Sequence, residues 1–304
     1  MPLAATGALL TAAAARGEGV AAFDVLTLHH AQAVVRGAAA AGRPVIVQIG
    51  PDAVAHHAGE LVPLARAVAA LAEACPVAVA LQLHRVRGTA LLAQAAPCRF
   101  SSIAYDSSHL TPARDLAVTR DIVRWAHEQN LWVEAAAPRR PGGRAGRPGG
   151  TAGPTGNAPR PPGSLPGHRA PSGSDPEAAL AYAAATGADA LAVTLDLPGT
   201  HALDHALLAR LHAGADLPLV LHARAGTPPH ELARAVAGGV TEVGFGPVLD
   251  AVLTRAVRKG LATGAGPGDY LAAGRGAMEE TVVRLMTAVN GPALADTSPL
   301  PSLS

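Results

Sequence analysis

Short apolar runs alternate along this chain with longer stretches in which Ala and Leu recur at helical spacing. Eight of the short runs predict β-strands, at 19–25, 44–49, 76–83, 101–105, 131–136, 188–195, 217–222 and 240–245. The stretches that follow them predict helices at 29–41, 59–74, 88–96, 112–130, 175–186, 204–213, 228–237 and 247–263. Such alternation is typical of α/β folds with parallel strands.

Eight strand–helix units over about 250 residues favour a closed (β/α)8 TIM barrel rather than an open sheet. Further helices are predicted before the first strand, at 4–16, and after the eighth unit, at 268–290. We therefore predict one barrel domain over 1–290 and a flexible tail at 291–304. In such a barrel the functional residues lie at the carboxyl ends of the strands.

The segment 138–174 breaks this pattern. Its 37 residues include nine Pro, ten Gly and six Arg but no Asp or Glu, and this composition predicts disorder. Since the whole chain has a formal net charge of only +1, the basic segment is joined to a mildly acidic barrel. Its positive charge would suit a contact with RNA, with an acidic partner or with the barrel mouth, but an unselected linker is favoured. Without aromatic residues to stack on bases, the segment does not predict specific nucleic-acid binding.

The composition also indicates the cellular environment that we expect for the protein. Two cysteines in a chain of this length do not indicate a disulfide framework, and no long apolar stretch predicts a membrane span. The amino-terminal residues lack the basic start of a signal peptide. We expect a cytoplasmic protein without a membrane partner. Lys259 is the only lysine among 24 basic residues, which indicates a coding bias toward arginine.

Several sequence blocks resemble one family. They are GEGVAAFDV at 17–25, FSSIAYDSSH at 100–109, SDPEAALAYAAATGADALAV at 174–193, PLVLH at 218–222 and GDYL at 268–271. Together they resemble the class II (metal-dependent) ketose-bisphosphate aldolases, which include the fructose- and tagatose-bisphosphate enzymes. The resemblance implies a homo-oligomeric TIM barrel in which three histidines, after strands three, six and seven, hold a zinc ion. That ion would act as a Lewis acid in cleaving a ketose bisphosphate to dihydroxyacetone phosphate and an aldehyde.

The chain departs from the family pattern at most chemical positions. Where the family has His-Leu-Asp-His-Gly after strand three, this chain has QLHRV at 82–86, so that His84 replaces the catalytic Asp. After strand five, EAAAP at 134–138 replaces Glu-x-Glu-Leu-Gly, and the basic segment replaces the loop that bears the catalytic Glu. His201 stands two positions late for the second zinc ligand. Only His222, after strand seven, matches a family ligand.

Two sets of candidate site residues follow. A rebuilt metal site would use His84, His201 and His222, although adjacent strand residues point to opposite sides of a barrel. Anion or substrate binding would use Asp24, Asp106, Arg224, Gly226, Gly244 and Gly246, with Arg85 as a further cation. The pairs at 29–30 and 56–57 are interpreted as solvated histidines at helix ends. Glu242 replaces a family Lys and is interpreted as a surface or ion-pair residue.

Two functions of different class remain. The first is a non-catalytic binding or regulatory homologue, a pseudoenzyme, whose ligand is a small phosphorylated sugar or another anion. The second is a metal-dependent aldehyde-lyase with the rearranged His84, His201 and His222 site and an altered substrate. The first is favoured, because losing one positioned acid or base typically removes about 10²–10⁴-fold in rate and here several groups differ together.

Overall fold

In a computed structural model, which describes residues 3–95, 98–137 and 175–291, the chain is a closed barrel of parallel strands in the order β1 to β8. The predicted (β/α)8 TIM barrel is therefore confirmed, and each predicted strand overlaps an observed one. The strands are β1 (Val20–Asp24), β2 (Val45–Ile49), β3 (Val79–Val86), β4 (Ser102–Tyr105), β5 (Trp132–Ala136), β6 (Ala190–Val193), β7 (Leu219–Ala223) and β8 (Val240–Phe245). Pairing of β1 with β8 closes the barrel.

Helices surround the strands. They are α1 (Thr6–Ala14), α2 (Leu28–Ala41), α3 (Pro51–His56), α4 (Val62–Glu73), α5 (Thr89–Ala95), α6 (Pro112–Glu128), α7 (Pro176–Thr186), α8 (His205–Gly214), α9 (Pro229–Ala237), α10 (Val248–Ala262) and α11 (Pro267–Asn290). The short helix α3, with a proline in its first turn, was not predicted. Asp175, the N-cap of α7, accepts a hydrogen bond from the Glu177 amide, whereas Thr111, the N-cap of α6, makes no side-chain capping hydrogen bond. The N-cap of α9 is Pro228.

Alternation along the strands divides the core into two clusters. Odd-numbered positions of β1 to β3, such as Phe23, pack outward against the helices, and Phe23 stacks on Phe245 at 5.1 Å between ring centroids. Even-numbered positions face the barrel interior. At the amino-terminal end of the strands, the interior is filled by Val20, Ala22, Ile46 and Ala80 together with Leu10 and Ala13 of α1. Helix α1 therefore closes one end of the barrel and leaves the carboxyl end as the mouth.

The predictions of disorder for 138–174 and of a flexible tail concern residues outside the described ranges, except for Gly291. No helix within those ranges is long and apolar enough to cross a membrane.

Candidate functional site at the barrel mouth

Side chains from four alternate strands meet at the mouth. Asp24 ends β1, His84 and Arg85 lie near the end of β3, Glu134 lies on β5 and His222 on β7. Carboxyl ends of parallel strands meet at one rim of a barrel, so residues far apart in the chain become neighbours there. The predicted residues Asp24, His84 and His222 are thus brought together.

A β-bulge in β3 aims two consecutive side chains at the mouth. The register between β3 and β4 shifts between Leu83 and Val86, and Arg85 has a φ of 51° in the left-handed region. Non-glycine residues rarely adopt this conformation. In a regular strand, His84 and Arg85 would point to opposite faces. The bulge instead lets both reach Asp24, which alternation along the strand did not predict.

Asp24 binds both of these residues. Its Oδ1 lies 2.7 Å from His84 Nδ1, and its Oδ2 accepts a hydrogen bond from Arg85 Nη2, also at 2.7 Å. Burial alone would raise the pKa of Asp24, but the His84 and Arg85 charges and hydrogen bonds outweigh it and hold that pKa below its ordinary value. Asp24 is therefore a carboxylate that holds the end of β3 against β1.

Glu134 and His222 form the second pair of the mouth. His222 Nε2 lies 2.8 Å from Oε1 of Glu134, whose side chain is 3% exposed while that of His222 is 40% exposed. Burial would raise the pKa of Glu134, but His222, His84 and Gln82 outweigh it and lower it. The surrounding protein would lower the pKa of His222, but the charge and hydrogen bond of Glu134 raise it. Both shifts favour the charged forms, so the pair is an ion pair at pH values between the two pKa values.

The two histidines stack on each other. The His84 and His222 ring centroids lie 5.2 Å apart, with 27° between the ring planes. Each ring directs one nitrogen to a carboxylate, His84 to Asp24 and His222 to Glu134. The mouth therefore contains two carboxylate–histidine pairs placed face to face.

Gly226, in the loop after β7, and Gly244, on β8, leave room for the rings of His201 and His222. A β-carbon added to Gly226, whose φ is +89°, would lie 2.7 Å from Cε1 of His201. One added to Gly244 would lie 2.5 Å from Nδ1 of His222. Both substitutions would require a ring to move. The predicted site residue His201 therefore lies against Gly226, and its imidazole covers that glycine.

Two other arginines at the mouth each face an aspartate. Arg87 pairs with Asp106 at 2.7 Å, and Arg224 approaches Asp196 only to 3.8 Å. Burial would raise the pKa of Asp106, but Ser108 and Arg87 hold it below its ordinary value. For Asp196, burial exceeds the attraction of Arg224, so that its pKa is raised. Arg224 is thus the less firmly paired of these two cations.

The zinc ion implied by the family resemblance does not fit the predicted histidines. Zinc needs imidazole nitrogens that converge on one point at about 2.0–2.1 Å. His84 Nδ1 and His222 Nε2 each face a carboxylate instead, and the Arg85 guanidinium on Asp24 disfavours a further cation nearby. Across residues 3–95, 98–137 and 175–291, no three His, Cys, Asp or Glu side chains are grouped as metal ligands.

Two interpretations of single residues are wrong. His30 is not solvated, since it is 1% exposed, with Nδ1 2.9 Å from Thr27 Oγ1 and Nε2 2.9 Å from Asp250 Oδ1. Glu242 is neither a surface residue nor an ion-pair partner, because it is fully buried and no basic side chain of the described chain pairs with it. The apolar neighbours of Glu242 indicate a buried strand, but they do not indicate which of its faces points into the barrel.

Sequence reasoning also missed the partner of His222. Glu134 is the last residue before the family pattern is lost, and the sequence alone indicates no role for it. Its inward position follows from alternation, because Val133 and Ala135 pack outward in the main core. The contact with His222 depends on barrel closure, which no local pattern encodes.

Comparison with known proteins agrees with this architecture. The family model described as "Fructose-bisphosphate aldolase class-II" matches residues 4–292. Among solved structures, the YdjI aldolase from Escherichia coli K12 is similar with a TM-score of 0.77 and 20% identity, covering 94% of this chain and 97% of that one. A putative fructose-1,6-biphosphate aldolase from Coccidioides immitis has a TM-score of 0.74 and 21% identity, covering 94% of each chain.

Fructose-bisphosphate aldolase from Campylobacter jejuni is also similar, with a TM-score of 0.74 and 17% identity over 95% of this chain and 96% of that one. At such identities the solved structures show a shared fold. Family membership rests on the family model, which spans nearly the whole sequence. The chain belongs to the class II fructose-bisphosphate aldolase family.

Proposed function

We propose that this family member is a non-catalytic binding or regulatory homologue that takes a small anionic ligand, of the phosphorylated-sugar class, at the barrel mouth. One observation supports this most strongly: an imidazole and a guanidinium, those of His84 and Arg85, occupy the end of β3, and both are bound by Asp24. In the family, the resemblance places a proton-handling Asp and a zinc ligand there. Neither His84 nor Arg85 supplies that pair of groups.

The anion would be held by Arg224. Its guanidinium is 47% exposed and lies 3.8 Å from Asp196, so binding a phosphate would break only a long ion pair. A guanidinium forms paired hydrogen bonds with phosphate oxygens. Arg85, by contrast, is held at 2.7 Å by the ionised Asp24 and would have to leave it first.

Purified protein is expected to hold no stoichiometric zinc and to cleave neither fructose bisphosphate nor tagatose bisphosphate. The physical reason is that His84 and His222 each direct one nitrogen to a carboxylate, and that the Arg85 guanidinium repels a further cation there. Metal analysis of protein refolded or dialysed with zinc, together with a coupled assay for dihydroxyacetone phosphate, measures both quantities. One equivalent of bound zinc with zinc-dependent cleavage would establish the alternative lyase and overturn the proposal.

Arg224→Ala is expected to weaken binding of fructose bisphosphate and of inorganic phosphate about tenfold, since one charge-assisted contact contributes about 1.5–3 kcal/mol before exposure reduces it. Titration calorimetry at two salt concentrations measures the affinities. Arg258→Ala is the matched control, because Arg258 is an exposed arginine in the later turns of α10. Equal affinities for the two variants, or no binding by the parent protein, would contradict the assigned ligand site.

A further inference from the structure

Four polar side chains lie inside the barrel below the mouth. They are Gln48 on β2, Gln82 on β3, Glu134 on β5 and Glu242 on β8, and all four are buried. Burying such groups is costly unless they are hydrogen-bonded. Their bonding pattern therefore indicates the protonation state of each carboxyl group.

Hydrogen bonds join these side chains into one chain. The Gln48 amide nitrogen donates to Gln82 Oε1 at 2.6 Å and to Glu242 Oε1 at 3.4 Å. Gln82 Nε2 donates to Glu134 Oε2 at 3.1 Å, and the other oxygen of Glu134 faces His222. Gln48 and Gln82 are also direct partners in the register of β2 and β3, which explains their short contact. The chain thus connects Glu242 to the mouth.

Glu242 is at the poorly bonded end of this chain. Its Oε2 and the Oε1 of Gln48 both lack a hydrogen-bond partner within the described part of the protein. An ionised Glu242 would have a single long hydrogen bond in an apolar surrounding, whereas Glu134 has an imidazole at 2.8 Å. A proton on Glu242 would add a donor at this end of the chain, where the Gln48 oxygen is an acceptor without a partner. The geometry therefore places the negative charge on Glu134 and a proton on Glu242.

The surroundings of Glu242 offer no compensating positive charge. Small or apolar side chains of β1 to β3 and of α1 fill the interior below it. In the described residues, the other ionisable groups that face the interior all lie nearer the mouth than Glu242. They are Asp24 on β1, His84 and Arg85 on β3, Glu134 on β5 and His222 on β7. The nearest in the chain of hydrogen bonds is Glu134, a carboxylate. Burial and the Glu134 charge both raise the pKa of Glu242 well above its ordinary value of 4.5.

We propose that Glu242 is held as a neutral carboxylic acid and, through the Gln48 and Gln82 amides, positions Glu134 against His222. Glu242 would be a positioning residue, since it touches neither the mouth nor a ligand there. The amide chain has a direction, because the Gln48 nitrogen donates to both of its neighbours, whereas Gln82 accepts from Gln48 with its oxygen and donates to Glu134 with its nitrogen. A residue at position 242 that accepts the Gln48 hydrogen bond keeps this direction of the amide chain. An apolar residue there would not accept that bond, and the direction would be lost.

The first test measures the pKa of His222 at the mouth. In histidine-labelled protein followed by NMR, Glu242→Gln should leave the pKa of His222 unchanged, because one neutral hydrogen-bonding group replaces another. Glu242→Leu should lower it, because Glu134 is no longer held in place. A lowered pKa in Glu242→Gln would show that Glu242 is ionised, and equal values in both variants would show that it positions nothing. Either outcome overturns the proposal.

The second test uses stability and does not depend on the mouth. A group with a raised folded pKa stabilises the fold below its unfolded pKa of about 4.5 and loses that contribution as the pH rises toward the folded pKa. Relative to Glu242→Gln, the unfolding constant of the parent protein should therefore rise at least about tenfold between pH 5 and pH 8. Urea titrations measure it, with Glu280→Gln on the exposed side of α11 as the control. A ratio that is constant with pH would contradict a protonated Glu242.

Discussion

Replacing Glu134 with glutamine is expected to bring the pKa of His222 from above its ordinary value of 6.5 to below it. The Glu134 carboxylate accepts from Gln82 at 3.1 Å and faces His222 at 2.8 Å. A glutamine has one acceptor oxygen and one donor nitrogen, so it can accept from Gln82 only by turning its amide donor toward His222. A protonated imidazole would then face a donor, and the neutral ring becomes favoured.

The same variant should lose about 1–3 kcal/mol of stability, the usual contribution of a hydrogen bond to a charged group. Glu134 has a lowered pKa, so its contribution is present above pH 4.5 and is lost as the pH falls through the folded pKa. His222 has a raised pKa, so its contribution is present below pH 6.5 and is lost as the pH rises through the folded pKa. The loss of stability should therefore be greatest between pH 4.5 and pH 6.5.

Histidine NMR titration and urea unfolding at three pH values measure both effects. Glu128→Gln is the matched control, since Glu128 is an exposed residue at the end of α6. If His222 titrates in Glu134→Gln as it does in the parent protein, its protonation is not controlled by Glu134 and the assignment of this pair as an ion pair is wrong.

Gly37→Ala in α2 is expected to destabilise the barrel by about 1–3 kcal/mol, although alanine is the better helix former. A β-carbon there would lie 2.6 Å from Cγ1 and 2.7 Å from Cβ of Val282, and 3.0 Å from the Glu279 carbonyl oxygen, all on α11. A β-branched side chain and a backbone atom cannot rotate away, so the two helices must separate.

Gly276→Ala provides the opposite case on the partner helix. No atom lies within 4 Å of a β-carbon added there, so only helix propensity changes and stability should rise by about 0.5–1 kcal/mol. Thermal and urea unfolding of the two single variants give the comparison. A gain of stability in both would mean that α2 and α11 do not pack through Gly37.

The contacts at the mouth could be predicted from the sequence only in part. Local patterns place Asp24, His84 and His222 at strand ends, and the family resemblance singles out the same positions. Strand alternation predicts that His84 and Arg85 point apart, but the bulge at Arg85 brings both to Asp24. A bulge adds one residue to one strand and depends on the neighbouring strand, so a single-strand pattern does not reveal it.

The sequence by itself determined the eight strands, their surrounding helices and the closed parallel barrel, because apolar spacing records which face of each element is buried. It did not determine which buried polar groups would meet. Glu134 meets His222, and Gln48 meets Gln82 and Glu242, only after strands from distant parts of the chain close into one barrel. Tertiary structure decided the charges of the interior, because a carboxyl group in an apolar space stays ionised only where folding brings it a partner.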